Sequence, residues 1–157
     1  MAIAILSGGL SMWIIKHFGE LTNNELHRIY KERTTVFVVE QNCAYQEIDD
    51  IDLASIHFFK QVDDVFMAYA RLILEPGSTR IGRVMVPKEQ RKNGFGEELL
   101  TVILSYADQH YPGLPVNAQA QAYLQTFYTS FGFRPISEIY LEDNIPHIDM
   151  VRDILMS

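Results

Sequence analysis

The chain has 157 residues, of which 48% are hydrophobic and 21% are charged; this length fits one globular domain, and this composition excludes a disordered, collagen-like or coiled-coil protein. No stretch approaches the roughly 20 consecutive apolar residues of a bilayer-spanning helix, so no membrane partner is expected. The formal net charge of −7 repels phosphate backbones, which makes nucleic acid a poor partner.

Residues 1–11 are predicted to be an N-terminal tail, and residues 12–157 a single domain. The tail is apolar, but it lacks the basic start of a signal peptide. The single cysteine, Cys43, excludes an internal disulfide and a multi-cysteine metal site. It fits a reducing compartment, and we therefore expect a cytoplasmic protein.

The first part of the domain predicts a strand, a helix and a loop. Residues 13–18 are an apolar run of strand length. Thr22 followed by Glu25 forms a capping box, which marks the start of a helix. Residues 42–52 are short, polar and acidic with no regular period, which is typical of a loop.

Three strands are predicted next. Residues 56–61 and 65–74 would form a hairpin that turns at Asp63-Asp64. Because both faces of the second run are apolar, we expect that strand to lie inside its sheet. Residues 80–86 make a further strand, which ends at a proline.

The remaining elements complete an α/β pattern. An apolar stripe of helical spacing begins near Gly94, and a second amphipathic helix ends at Gly132. Strands are predicted at residues 116–120, 133–141 and 145–154. The order predicts an α/β domain with a mixed sheet.

The segment 80–96 has the composition of an anion site. Gly94 and Gly96 allow a ligand close to the backbone, and the first turn of the helix that follows offers unpaired N–H groups and a positive dipole end. Arg91 and Lys92 add full charges. A helix cap with two convenient glycines is the alternative. No metal site is expected, since the histidines lack metal-ligand spacing.

Two motifs resemble the GNAT superfamily of acetyl-CoA-dependent N-acetyltransferases. Residues 91–96, Arg-Lys-Asn-Gly-Phe-Gly, match its pyrophosphate loop, and residues 121–133 match the helix that ends Phe-Tyr-x-x-x-Gly-Phe. Residues 37–49 and 141–148 resemble the ElaA-like branch of that superfamily. The likeness extends over residues 13–154.

The resemblance implies a fold and a co-substrate. The fold would be the GNAT fold, a mixed and mostly antiparallel sheet that is splayed at its central strands and flanked by helices. Acetyl-CoA would pair its pantetheine arm with the strand before the pyrophosphate loop, and a backbone N–H near Met85 or Val86 would hold the thioester oxygen. The cofactor-binding residues expected are Val84, Met85, Val86, Arg91, Lys92, Asn93, Gly94, Phe95, Gly96, Gln121 and Tyr128.

Tyr128 lies where the superfamily commonly has the general acid that protonates the leaving thiolate. A phenol with a reference pKa of ~10 can donate that proton at neutral pH. The alternative is a tyrosine that only packs in the core.

The general base is open, because residues 80–86 contain no carboxylate. Glu40 and His147 are selected as candidate catalytic residues. Further candidates are Glu47, His57 and Glu142. Bulk water could also take the proton, and the acidic residues Asp49, Asp50 and Asp52 could attract a cationic amine.

These expectations converge on an N-acetyltransferase that acts by direct attack of a primary amine in a ternary complex. The acceptor would be a small-molecule or peptidic amine, and the last strand offers an apolar surface for a homodimer. The alternative is a GNAT-fold module that binds acyl-CoA without transferring the acyl group.

Overall fold

The computed structural model describes residues 3–7 and 11–154. The strands in this part of the chain are β1 Ile3–Ser7, β2 Ser11–His17, β3 Ile56–Val62, β4 Val65–Glu75, β5 Ser78–Met85, β6 Val116–Gln121, β7 Arg134–Pro135, β8 Tyr140–Glu142 and β9 Ile145–Arg152. The α-helices are α1 Asn23–Thr34, α2 Phe95–His110 and α3 Gln125–Thr129, and a π-helical segment, Thr35–Glu40, continues α1. Within the described ranges, no helix is both long and apolar enough to cross a bilayer.

The nine described strands form one mixed sheet. Their order is β1-β2-β3-β4-β5-β6-β9-β7, and β8 also pairs with β9. Among these pairs, β5 and β6 run parallel and the others antiparallel. The predicted α/β fold with a mixed and mostly antiparallel sheet is therefore confirmed.

The N-terminal region contains a strand that the sequence analysis did not anticipate. Within the range treated as a tail, Ile3–Ser7 form β1, which pairs with β2 from Ile3 opposite Ile15 to Ser7 opposite Ser11. Alternating isoleucines in this run are typical of a strand. Residues 1, 2 and 8–10 lie outside the described residues, and the extent of the domain stays a prediction.

The capping box predicted at the start of α1 is present. The Thr22 hydroxyl accepts a hydrogen bond from the Glu25 backbone N–H at 3.1 Å, and the Glu25 carboxylate accepts one from the Thr22 N–H at 2.9 Å. The helix then widens into the π-helical segment Thr35–Glu40, which was not predicted. The C-terminal end of this segment lies beside the cleft described below.

The predicted hairpin is also present. Asp63 and Asp64 both have positive φ, 48° and 66°, as a two-residue type I′ turn requires. Strand β4 is paired with β3 on one side and β5 on the other, which confirms its predicted interior position.

Strands β5 and β6 separate towards their carboxyl ends. Their pairing ends at Ile81 and Ala118, although β5 continues to Met85 and β6 to Gln121. The register between β4 and β5 shifts near Arg71, and Arg83 has a φ of 53°. This confirms the predicted splay and opens a V-shaped gap.

Helices cover both faces of the sheet. The predicted apolar stripe of α2 is buried against one face, and residues of α1 and the π-helical segment, Ile29 and Val36, pack with Met85 on the other.

The last part of the chain differs from prediction. The expected strand at 133–141 is reduced to β7 and β8, and the expected helix ending at Gly132 is a 3₁₀ turn, Ala122–Leu124, followed by the short α3.

Candidate active site

A cleft of about 690 Å³ opens where β5 and β6 separate. Nine of the predicted site residues line it: Val84, Met85, Val86, Arg91, Gly96, Gln121, Tyr128, Glu40 and His147. Four others do not: Lys92, Asn93, Gly94 and Phe95. The cleft therefore brings together residues from β5, the loop after it, the start of α2, β6, α3, β9 and the π-helical segment.

The loop before α2 turns sharply at the edge of the cleft. Lys92 and Gly94 have left-handed backbone conformations, with φ of 68° and 81°, and Gly94 is the N-cap of the 16-residue α2. The side chains of Lys92 and Asn93 are exposed. Phe95 is partly buried and packs against the main core.

The first turn of α2 is tied to the sheet by a contact that sequence reasoning missed. Glu98 accepts hydrogen bonds from the Trp13 indole at 3.0 Å and from the Lys60 ammonium at 2.7 Å. Lys60 is 3% exposed, and its ammonium lies 5.2 Å from the centre of the Phe95 ring. The sequence indicates such a contact only by placing Lys60 within an apolar strand, where a buried charge needs a partner. These contacts hold the start of α2 in place.

Arg91 and Glu40 form a two-pronged ion pair at the cleft. The two terminal nitrogens of Arg91 donate to the two oxygens of Glu40 at 2.5 and 2.9 Å, and its Nε donates to the Val86 carbonyl at 2.9 Å. Hydrogen bonding to Glu40 raises the pKa of Arg91. Glu40, a candidate base, is thus paired with Arg91, a candidate ligand of the coenzyme diphosphate.

Residues 40–43, which we call the strap, contact three elements around the cleft. Besides the Glu40–Arg91 pair, the amide of Gln41 exchanges hydrogen bonds with that of Gln121 at 3.3 and 3.4 Å. The Cys43 thiol donates to the Asp143 carbonyl at 3.6 Å. The strap therefore bridges the loop before α2, the end of β6 and the turn between β8 and β9.

Tyr128 presents a phenol to the cleft. Its side chain is 4% exposed, and no hydrogen-bond partner meets its hydroxyl among the described residues. Edge contacts to Phe127 and Phe133, each with ring centres 5.4 Å apart, fix the ring. Burial raises the pKa of Tyr128, so the hydroxyl is protonated and can donate to a group in the cleft.

His147 can accept a proton in the cleft. Its Nδ1 lies 2.7 Å from the Ile145 carbonyl, and because a carbonyl only accepts, the neutral ring carries its hydrogen on Nδ1. The lone pair is then on Nε2. The ring stacks on Tyr140 with centres 6.2 Å apart, which limits its rotation.

Two of the other candidate bases are buried away from the cleft. His57 is fully buried between the Tyr69 hydroxyl, at 2.7 Å, and the Asp52 carbonyl, at 3.0 Å, and burial lowers its pKa. Glu47 is 4% exposed and is paired with Arg33 and Arg83. Glu142, in contrast, lines the cleft.

The acidic loop does not form a free anionic surface, which corrects the expectation that it attracts an amine. Asp52 is fully buried and accepts hydrogen bonds from Arg33 at 2.8 Å and Arg71 at 2.9 Å. Asp49 binds Arg71 at 2.6 Å and Arg83 at 3.4 Å. The arginines match the carboxylates in number once Glu47 is included, so the cluster is neutral. Of the three predicted acidic residues, Asp50 alone is exposed.

We expect the Asp49 ion pair to contribute stability that is lost in acid. Burial alone would raise the pKa of Asp49, but its hydrogen bond to Arg71 and the nearby charges lower it below the ordinary value. A lowered folded-state pKa stabilises the fold above the unfolded value of ~3.9, and the contribution disappears as pH falls below it. The difference in unfolding free energy between wild type and Asp49→Asn should shrink below about pH 4.

Urea denaturation at several pH values between 3 and 7 measures this difference. Asp50→Asn is the matched control, because Asp50 is an exposed neighbour of the same charge. Its difference from wild type should stay nearly constant over that range. An Asp49→Asn difference that is just as constant would contradict the assigned ion pair.

No group of three or more histidine, cysteine, aspartate or glutamate side chains in the searched part of the structure is arranged to hold a metal ion.

Residues 20–154 match the acetyltransferase (GNAT) domain family. The chain is 42% identical to the protein ElaA of Escherichia coli, over 92% of this chain and 98% of ElaA.

Two solved structures support the same family assignment. The crystal structure of E. coli ElaA matches with a TM-score of 0.87 at 40% identity, over 92% of this chain and all of that one. An acyl-CoA N-acyltransferase from Pseudomonas aeruginosa matches with a TM-score of 0.85 at 41% identity, over 90% of this chain and 99% of that one. The chain therefore belongs to the GNAT acetyltransferase family, on its ElaA-like branch.

Proposed function

We propose that this protein is an N-acetyltransferase that transfers the acetyl group of acetyl-CoA to a small-molecule or peptidic primary amine. The observation that carries the proposal is the gap between β5 and β6 beyond Ile81 and Ala118, with the Tyr128 phenol in its wall. A gap between parallel strands leaves backbone groups to bind an extended ligand, and the phenol supplies an acid next to it.

The residues present fit acetyl-CoA. A cleft of about 690 Å³ lies within the usual range for small-molecule sites. The backbone of Val84, Met85 and Val86 would pair with the pantetheine arm along the unpaired edge of β5. Arg91 and the amides at the start of α2 would bind the diphosphate, since a helix N-terminus and a guanidinium both favour anions.

The cleft residues divide the work of the reaction. The bound thioester supplies the acetyl group. His147 is our candidate to take a proton from the ammonium through Nε2, so that the neutral nitrogen can attack the carbonyl carbon. A backbone N–H near Met85 or Val86 stabilises the charge that develops on the carbonyl oxygen. As the carbon–sulfur bond breaks, Tyr128 donates its proton to the leaving sulfur, and the resulting phenolate takes back the second proton that the nitrogen gives up as the amide forms.

Direct attack is supported by the surroundings of Cys43. Cys43, the only cysteine, donates its thiol hydrogen to the Asp143 carbonyl, and among the residues that the structure describes no basic side chain hydrogen-bonds to it to activate it as an acyl carrier. An amine held against a thioester reacts without such a carrier, because positioning alone supplies much of the rate.

Calorimetric titration with acetyl-CoA, followed by a thiol-release assay over a panel of alkyl amines, polyamines, amino acid amides and peptides, tests the proposal. We expect saturable binding and thiol release that depends on the amine. Binding without release on any amine would leave an acyl-CoA-binding module, and absence of binding would overturn the proposal altogether.

A further inference from the structure

We propose that the coenzyme diphosphate takes Arg91 away from Glu40 when it binds, and that this exchange unlatches the strap, residues 40–43, from the cleft. The inference rests on the proposed function, because it assigns the diphosphate to Arg91. It gives Glu40 a different part from the one expected of it. Glu40 is a positioning residue whose ion pair closes the strap until coenzyme arrives.

The contacts of the strap are the first argument. Two of the side chains expected to touch the coenzyme, Arg91 and Gln121, are each bonded to the strap, to Glu40 and Gln41 respectively. A coenzyme that binds both of these side chains must therefore replace a strap contact on each wall. Cofactor binding and strap position cannot be independent in this arrangement.

The strength of the pair is the second argument. The side chains of Arg91 and Glu40 are 40% and 32% exposed, and ion pairs at such exposure contribute little because water screens them. A diphosphate carries more charge than one carboxylate and accepts the planar guanidinium in the same two-pronged geometry. The exchange at Arg91 therefore favours the diphosphate.

Charge repulsion is the third argument. Glu40 and a diphosphate on Arg91 would bring like charges together at the mouth of the cleft, which disfavours both staying there. The other anchors of the strap are neutral hydrogen bonds from Gln41 and Cys43. Glu40 is thus the strap residue whose hold depends on the charge of the ligand.

Glu40→Gln tests the exchange through binding. Removing the competing carboxylate should tighten acetyl-CoA binding by about three-fold, the range of an exposed ion pair. Affinity for pantetheine, which lacks the diphosphate, should change less than affinity for acetyl-CoA. Glu89→Gln is the matched control, since it removes the same charge close to Arg91 from an exposed residue outside the cleft, and it should leave acetyl-CoA affinity nearly unchanged.

Cys43 reports on the strap itself, because it is the only cysteine in the chain. Its rate of alkylation by iodoacetamide, followed by mass spectrometry, should rise several-fold in Glu40→Gln and not in Glu89→Gln. Saturating ADP, which has a diphosphate but no pantetheine arm to cover the thiol, should raise the rate in wild type and not in Glu40→Gln.

The outcomes separate this inference from the proposed function. If wild type binds acetyl-CoA but Glu40→Gln binds it with the same affinity and Cys43 reacts at the same rate, the strap inference is wrong and the function stands. If acetyl-CoA does not bind wild type, the proposed function fails. Equal tightening by Glu89→Gln would mean that a general change in charge, not the Glu40–Arg91 contact, controls binding.

Discussion

Replacing Tyr128 with phenylalanine is expected to lower kcat by about 10²-fold or more, the usual contribution of a general acid, with little change in the affinity for acetyl-CoA. The substitution keeps the ring, which packs against Phe127 and Phe133, and removes only the hydroxyl. Since that hydroxyl has no hydrogen-bond partner among the residues described, its removal leaves no buried group unsatisfied.

The pH dependence sharpens this prediction. Burial raises the pKa of Tyr128, so the phenol stays protonated at every pH from 6 to 9. The ratio of wild-type to variant kcat should therefore be constant over that range. Steady-state kinetics and calorimetry measure the two effects separately.

Tyr106→Phe is the matched control, because Tyr106 is also buried but belongs to α2 and does not line the cleft. It should leave kcat nearly unchanged. An equal loss in both variants would indicate a general packing effect. A Tyr128→Phe enzyme with full kcat would show that the leaving thiolate takes its proton from elsewhere.

Local signals in the sequence predicted much of the fold. Thr22 and Glu25 lie three residues apart, and their reciprocal hydrogen bonds cap the start of α1 without help from distant residues. Asp63 and Asp64 tolerate positive φ and fix the hairpin turn. Such features depend on neighbouring residues, so a single sequence is enough to predict them.

Two of the missed features, the π-helical segment and the short α3, depend on the fold around them. The apolar residues of the π-helical segment would suit an ordinary α-helical continuation of α1 equally well. Its widened turns give no separate periodicity of apolar residues in the sequence. The short α3 is held by the fold around it, since five residues cannot sustain a helix alone. Propensity and periodicity carry no information about such tertiary effects.

The candidate site shows the same division. Tyr128 and Arg91 were chosen by motif and His147 by its side-chain chemistry, and the structure brings these three residues to one cleft. Glu40 pairs with Arg91, which is 51 positions away in the sequence. The residues next to Glu40 or next to Arg91 do not predict this contact. The roles assigned to these residues stay predictions until activity is measured.

Asp52→Asn is expected to lower the free energy of unfolding by about 3–5 kcal/mol, the usual cost of removing one partner of a buried ion pair. Asp52 is fully buried, and so are Arg33 and Arg71, which both donate to its Oδ1. The substitution keeps the size of the side chain and removes its charge, so two buried guanidinium groups lose a common anion. Urea denaturation at pH 7 measures the loss.

The neutral balance of this cluster explains why one charge should matter so much. The carboxylates of Glu47, Asp49 and Asp52 face three arginines, and Asp52 lies at the buried centre of the cluster, where water cannot replace a lost partner. Asp153→Asn is the control, since Asp153 pairs with Arg134 at the surface and water replaces the lost contact. A loss for Asp52→Asn no larger than for Asp153→Asn would contradict a structural role for the cluster. The cluster also supports the cleft wall, through Asp49 and Arg71, so the same variant should lower acyl-transfer activity at temperatures where it remains folded.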